Sequence, residues 1–253
     1  ILPDIYACAV KANKRLFQDT FFDCSLPSLK IKIYNIADKL IALTEINELK
    51  RYSDFLFACD LIKKEIRPFR FEQNVVANNS SIAIFPGAGG GKGKRWNVIK
   101  FAYVAKQLVL KGLVDKVLIF GEKYDAECCN ELFQELNSCC RVENLCEKTT
   151  ISELIEIVSN CCIALANDSG SAHISMACDT PTLIVCGMWQ YGRFYPEPKL
   201  EKYHYIFWAN DTFGQSCNSS VPLCRQQPAP CVQEIKADIV LAQAERILTN
   251  QTR

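Results

Sequence analysis

The sequence predicts an α/β protein built on a parallel sheet, preceded by a region that reads mostly as helices. Three observations carry this. Short aliphatic runs (SIAIF, KVLIF, CIALA, TLIVC) recur from residue 81 onward. Stretches with apolar residues at helical spacing stand between them. Strands alternating with helices imply right-handed crossovers and parallel pairing. Composition agrees: 49% hydrophobic and 23% charged residues lie near the average of soluble globular chains, which excludes disordered and fibrous classes. A chain of 253 residues is large for one domain and ordinary for two.

In chain order, the region up to about residue 72 reads as helical, because Leu40, Ile41, Leu43 and Ile46, then Phe55, Leu56, Leu61 and Ile62, follow helical spacing between Ile36 and Lys64. FEQNVVANNSS (71–81) is polar and turn-rich and reads as a linker. SIAIF (81–85) is the first strand of the sheet, followed by a glycine-rich loop. A helix is predicted from Asn97 to Lys111, with Val98, Phe101, Val104, Ala105 and Leu108 on one side, and Gly112 stops it. KVLIF (116–120) is the next strand, broken by Gly121, with a helix around 127–136 and a short strand at 141–145. Thr150-Ile-Ser-Glu153 is a capping box that opens a helix to about Asn160. CIALA (162–166) is a strand, NDSGSAH (167–173) leads into a helix ending near Cys178, and TLIVC (182–186) is a further strand. A last helix spans Ile235 to Leu248.

Charge and composition remove several function classes. Twenty-nine Lys and Arg against 28 Asp and Glu leave a net +1, so no global basic field holds nucleic acid. No run of eighteen apolar residues exists, hence no expected transmembrane helix. The chain starts at Ile1, and Pro3, Asp4 and Lys11 interrupt any signal-like apolar stretch, so a start inside a longer protein is expected. The fifteen cysteines are odd in number, include three adjacent pairs and sit in part inside strand patterns, which favours reduced thiols in a cytoplasmic setting over a disulfide framework. Cys217, Cys224 and Cys231 are evenly spaced but lack the CxxC hairpin of strong zinc motifs, so pairing or metal binding by these three is left open.

Ligands in parallel sheets sit beyond the carboxyl ends of the strands, where three loops fall: 86–96, 121–126 and 167–173. The first, PGAGGGKGKRW, fits neither the P-loop nor the GxGxxG pattern. It offers bare backbone amides, three cationic side chains (Lys92, Lys94, Arg95) and a helix start, which suits a phosphate. On composition it reads equally well as a solvated loop. In the third loop, Ser169, Gly170 and Ser171 begin a helix whose amides favour a diphosphate, the alternative being a helix N-capped by Asp168. His173 is one of only two histidines, and a lone histidine is more often a packed structural residue.

These two loops, at this spacing, resemble glycosyltransferase family 9, the bacterial heptosyltransferases. Carrying the resemblance are Lys94-Arg95-Trp96, Asp168-Ser169-Gly170-Ser171-Ala172-His173, Thr180-Pro181-Thr182-Leu183 and Gly187 through Gly192-Arg193-Phe194, over about residues 80–198. Asn97 stands where the family has proline. The resemblance implies a GT-B fold with a Rossmann-like donor domain at 76–231, an incomplete N-terminal, acceptor-side domain at 1–75 and a C-terminal helix at 232–253. It implies a cytoplasmic, inverting, metal-independent transferase, using no cofactor, that moves a sugar from a nucleotide donor such as ADP-heptose to a lipopolysaccharide-core or related glycan acceptor. Peripheral association with the inner membrane would be compatible with that role. Lys94 and Asp168 would be catalytic. The donor would be held by Gly87, Ala88, Lys94, Asp168, Ser169, Gly170 and His173, with Asp125 on the ribose hydroxyls and Thr149 beside the adenine. The catalytic base is unassigned, since Asp4 lies in the wrong pattern. Alternative readings are a nucleotide-binding module without transfer activity, or a GT-B nucleotide-sugar epimerase.

Overall fold

The computed structural model describes residues 16–19, 39–42, 47–59, 61–64, 70–71, 80–89, 92–187, 204–207 and 230–251. The chain divides into two compact units, Ile1–Arg67 and Pro68–Arg253.

In the first unit, strands β1 (Leu16–Asp19) and β2 (Lys39–Ala42) pair in parallel, and helix α1 runs over Glu48–Ala58. Asn47 caps α1, its side chain accepting from Lys50 N at 3.1 Å. The expected helical segment from Ile36 is corrected here: Leu40 and Ile41 lie in a strand, and the helix begins only at Glu48. Periodicity cannot assign an apolar run this short, and a parallel partner across the unit decides it. Likewise the expectation of a mostly helical first region yields to two strands among its described residues.

The second unit is a six-stranded, wholly parallel sheet: β3 (Ser81–Phe85), β4 (Lys116–Ile119), β5 (Val142–Asn144), β6 (Ile163–Asn167), β7 (Thr182–Val185) and β8 (His204–Phe207). The spatial order is β5-β4-β3-β6-β7-β8. The crossover helices are α2 (Val98–Leu110), α3 (Ala126–Leu136), α4 (Ile151–Ser159) and α5 (Gly170–Ala177). A short α6 (Pro230–Gln233) and a long α7 (Ala237–Gln251) close the chain. Sequence reading missed β8. The linker expected at 71–81, the Gly192-Arg193-Phe194 segment, Cys217 and Cys224 lie wholly or largely outside the described residues.

Alternation along each strand sends side chains to two separate cores. Ile82, Ile84, Val117, Ile119, Ile163, Leu165, Leu183 and Val185 face one side, where Phe101 and Leu108 of α2, Leu132 and Leu136 of α3, and Val240 and Leu248 of α7 cover them. Ala83, Phe85, Leu118, Phe120, Ala164, Ala166 and Ile184 face the other, under Val158 of α4 and Ala172 and Met176 of α5. A strand buried on both faces is apolar at nearly every position, with polar residues confined here to strand ends (Ser81, Asn167, Thr182), which is why these strands read as near-continuous aliphatic runs. The helix ends follow their sequence signals. Asn97 caps α2 by accepting from Ile99 N at 2.8 Å, and Gly112 just beyond takes φ +65°. The residue that departs from the resemblance thus performs the helix-start task that a proline otherwise supports. Thr150 and Glu153 form the expected capping box.

The cysteines among the described residues are free thiols. Burial pushes Cys161 up to about 12 and Cys162 up to about 11, as expected of thiols that act as small apolar groups. Cys231 is buried in the larger core. No helix among the described residues is long and apolar enough to cross a membrane.

Candidate functional site

The strand order reverses between β3 and β6: one crossover series leaves β3 toward β4 and β5, the other leaves β6 toward β7 and β8. Such a switch point opens a crevice at the carboxyl ends of the two central strands, because their following loops diverge. The loop after β3 carries Gly87 through Trp96, and the loop after β6 carries Asp168 and Ser169.

One residue not singled out by the sequence ties the two loops together. Asn167, the last residue of β6, is fully buried. Its Oδ1 accepts from Trp96 N at 2.9 Å, while its Nδ2 donates to Pro86 O at 2.8 Å and Gly87 O at 3.1 Å. Both ends of the glycine-rich loop are thereby fixed to the neighbouring strand. The Trp96 ring adds an anchor: it is 1% exposed, donates from Nε1 to Ile235 O at 3.0 Å and meets Phe101 edge-on. The solvated-loop reading fails for the start of this loop, since Pro86, Gly87 and Ala88 are buried, and Lys92–Lys94 form a short 3-10 turn. The side chain of Lys92 is outside the described set.

Lys94 and Arg95 reach opposite sides of the loop. Lys94 Nζ donates to Asp168 Oδ2 at 2.8 Å, across the crevice to the loop after β6. Asp168 is almost fully buried, and it does not cap α5, which corrects the N-cap alternative. The N-cap is Ser169, in an extended conformation and without a side-chain cap bond, and its hydroxyl donates to Asn167 O at 3.1 Å. The first amides of α5, at Gly170 and Ser171, therefore carry the helix's partial positive charge with no side-chain cap over them. Beneath this pair, burial and the Asp168 carboxylate push the Cys186 thiol up.

On the other side, Arg95 Nη2 donates to Asp125 Oδ1 at 2.8 Å and to Tyr124 O at 2.9 Å. Asp125 Oδ2 accepts from Glu122 N at 3.3 Å. Gly87 lies directly over this carboxylate: a Cβ at position 87 would land on it. Three thiols hold the same turn from below. Cys129 donates to Phe120 O at 3.5 Å, Cys146 to Glu122 O at 3.5 Å and Cys128 to Asp125 O at 3.1 Å. The Cys129 thiol is pushed up, first by its hydrogen bond with Cys128 and then by burial.

The structure thus brings Gly87, Asp125 and Arg95 together on one side of the crevice, and Lys94, Asp168, Ser169 and Gly170 on the other. Ala88 is buried at the root of the loop. Thr149 lies half-buried in the loop after β5, at the same carboxyl end of the sheet, and His173 is half-buried in the first turns of α5. Arg95, named from the sequence only as one of the loop's three cations, proves to pair with Asp125, and Gln233 and Asn167 were missed as site residues. Gln233 Nε2 donates to Arg95 O at 2.7 Å, a contact between residues 138 positions apart that no local pattern signals. Among the described residues, no group of three His, Cys, Asp or Glu side chains is placed to hold a metal ion.

A family model described as glycosyltransferase family 9 (heptosyltransferase) matches residues 4–218. Lipooligosaccharide heptosyltransferase 2 of Campylobacter jejuni is 29% identical over 195 residues, covering 72% of this chain and 57% of the relative. Lipopolysaccharide heptosyltransferase 2 of Salmonella typhimurium is 36% identical over 110 residues, 42% of this chain and 30% of the relative. The chain therefore spans little more than half the length of the first of these relatives. Among solved structures, E. coli ADP-heptose lps heptosyltransferase II superposes with a TM-score of 0.67 at 19% identity, over 95% of this chain and 71% of that one. That likeness shows a shared GT-B-type, Rossmann-like α/β fold.

Proposed function

The chain belongs to glycosyltransferase family 9, and from that premise we propose that it serves a bacterial heptosyltransferase reaction: transfer of heptose from ADP-heptose to a lipopolysaccharide-core acceptor, with inversion and without a metal ion. The observation that carries this reading is the Lys94–Asp168 pair at the uncapped start of α5. A diphosphate in the crevice meets the α5 amides on one side and the Lys94 ammonium on the other. The acceptor hydroxyl attacks the anomeric carbon as the bond to the leaving diphosphate breaks, and the electron pair goes to the diphosphate oxygen. That oxygen gains negative charge in the transition state, where a preorganised cation and helix dipole stabilise it most. Lys94 is 25% exposed and can turn from Asp168 to the diphosphate, and Asp168 stays beside the reacting sugar. The donor's identity and the acceptor class come from the names of the relatives. A general base takes the acceptor proton, and none of the residues above is assigned to that role.

Two measurements test this. Titration calorimetry with ADP in EDTA is expected to show binding, and binding that requires added divalent metal contradicts the metal-free reading. Lys94→Ala is expected to lower kcat by about 10²–10³ with a smaller effect on donor affinity, the range for losing one preorganised charge stabiliser. Lys92→Ala is expected to have little effect. Equal losses from the two substitutions would reduce the site to a diffuse basic loop.

A further inference from the structure

We infer that Arg95 is a positioning residue for nucleotide recognition: it holds the Asp125 carboxylate in place for the ribose without itself touching the ligand. The inference rests on the donor reading above and extends it to a residue on the far side of the loop.

The geometry separates Arg95 from its neighbour Lys94. β4 and β6 flank β3 on opposite sides, and the two adjacent cations reach to opposite flanks, Arg95 to the turn after β4 and Lys94 to the loop after β6. Arg95 is fixed at both ends. Its carbonyl accepts from Gln233 at 2.7 Å, the next residue is the buried Trp96, and its Nη2 donates to both Asp125 Oδ1 and Tyr124 O. Its side chain is 14% exposed, so it does not sweep through solvent as a loop lysine does.

Asp125 is held just as closely. Arg95 takes one lone pair of Oδ1, Glu122 N one of Oδ2, and Gly87 covers the carboxylate so closely that no side chain fits. Each carboxylate oxygen has two lone pairs, so one acceptor position on each remains for a pair of vicinal hydroxyls. Without Arg95 the carboxylate would be a mostly buried charge deprived of its ion-pair partner, and it would swing toward water. That movement removes its aim at the ribose. The role is therefore indirect: Arg95 sets where the acceptor atoms stand, and the ligand reads Asp125.

The test compares ADP with 2′,3′-dideoxy-ADP on the intact protein, by calorimetry. A charged acceptor on the ribose hydroxyls gives the wild type a preference for ADP of about ten- to hundredfold. Arg95→Ala should collapse that ratio to within about twofold while inorganic diphosphate binds as before, and Arg95→Lys should restore an intermediate ratio. A purely structural defect would weaken both nucleotides alike and keep the wild-type ratio, and that result overturns the inference while leaving the donor reading intact. A wild type that binds ADP and shows no ribose preference also overturns it. Failure of the wild type to bind ADP overturns both. If Arg95→Ala does not fold, Asp125→Asn and Arg95→Lys decide: the first must lose the ratio, and the second must fall between it and the wild type.

Discussion

At the scale of single residues, the site depends on groups whose partners are distant in sequence. Asn167 is the clearest case. Its amide serves three backbone groups, two of them about 80 positions earlier in the chain. Nothing in NDSGSAH distinguishes this asparagine from a strand-end turn residue, so its role was not legible. By contrast, the division of labour between Lys94 and Arg95 was foreseeable: once Trp96 anchors the helix start, side chains one and two residues before it must project differently. Which carboxylate each would find was not. Asn167→Ala should lower unfolding stability by about 2–3 kcal/mol in urea titration, because it leaves buried backbone groups unsatisfied. Asn167→Asp should be worse than alanine, since a carboxylate cannot donate to the Pro86 and Gly87 carbonyls and adds a buried charge. An aspartate that matches or exceeds alanine in stability would contradict the assigned amide orientation.

At the scale of elements, helices with caps and doubly buried strands were readable because local chemistry and burial agree there. α4 is the best example. Thr150 accepts from Glu153 N, and the Glu153 carboxylate accepts from Thr150 N at 2.7 Å. That backbone hydrogen bond, with the Thr150 hydroxyl second, holds Glu153 below the ordinary carboxylate value of 4.5. A lowered folded-state pKa stabilises the fold above the unfolded-state pKa, and the benefit fades as pH drops through the folded value. Glu153→Ala should therefore lower the unfolding midpoint near neutral pH and have much less effect well below pH 4.5. A pH-independent effect would point to packing. β2 and β8 were illegible for the opposite reason. β2 lies in a run whose apolar residues also follow helical spacing, β8 (HYIF) carries no aliphatic run, and each pairs with a parallel neighbour far along the chain. Core helices respond to volume: Leu132→Ala on α3, fully buried in the larger core, should lose about 2–5 kcal/mol in the same urea assay.

At the scale of the whole molecule, the two loops flagged by the sequence meet because strand order, not sequence spacing, makes β3 and β6 neighbours. The alternation of strands and helices foretold parallel pairing, but the place where the order turns back depends on which strands lie at the centre, which only the assembled sheet defines. The same arrangement sets limits on how the chain can change. Gly87 and Asp125 stand on different crossovers, yet a side chain at one position occupies the space of the other. An evolving lineage that enlarges residue 87 displaces the Asp125 carboxylate from Arg95 and Glu122, and one that first shortens residue 125 gives up that ion pair. The two positions form a ratchet. Gly87→Ala should be strongly harmful in the wild-type background and mild once Asp125→Ala is present, so which step comes first decides whether the path is open. A descendant that carried a side chain at 87 would be one whose residue 125 had been shortened first.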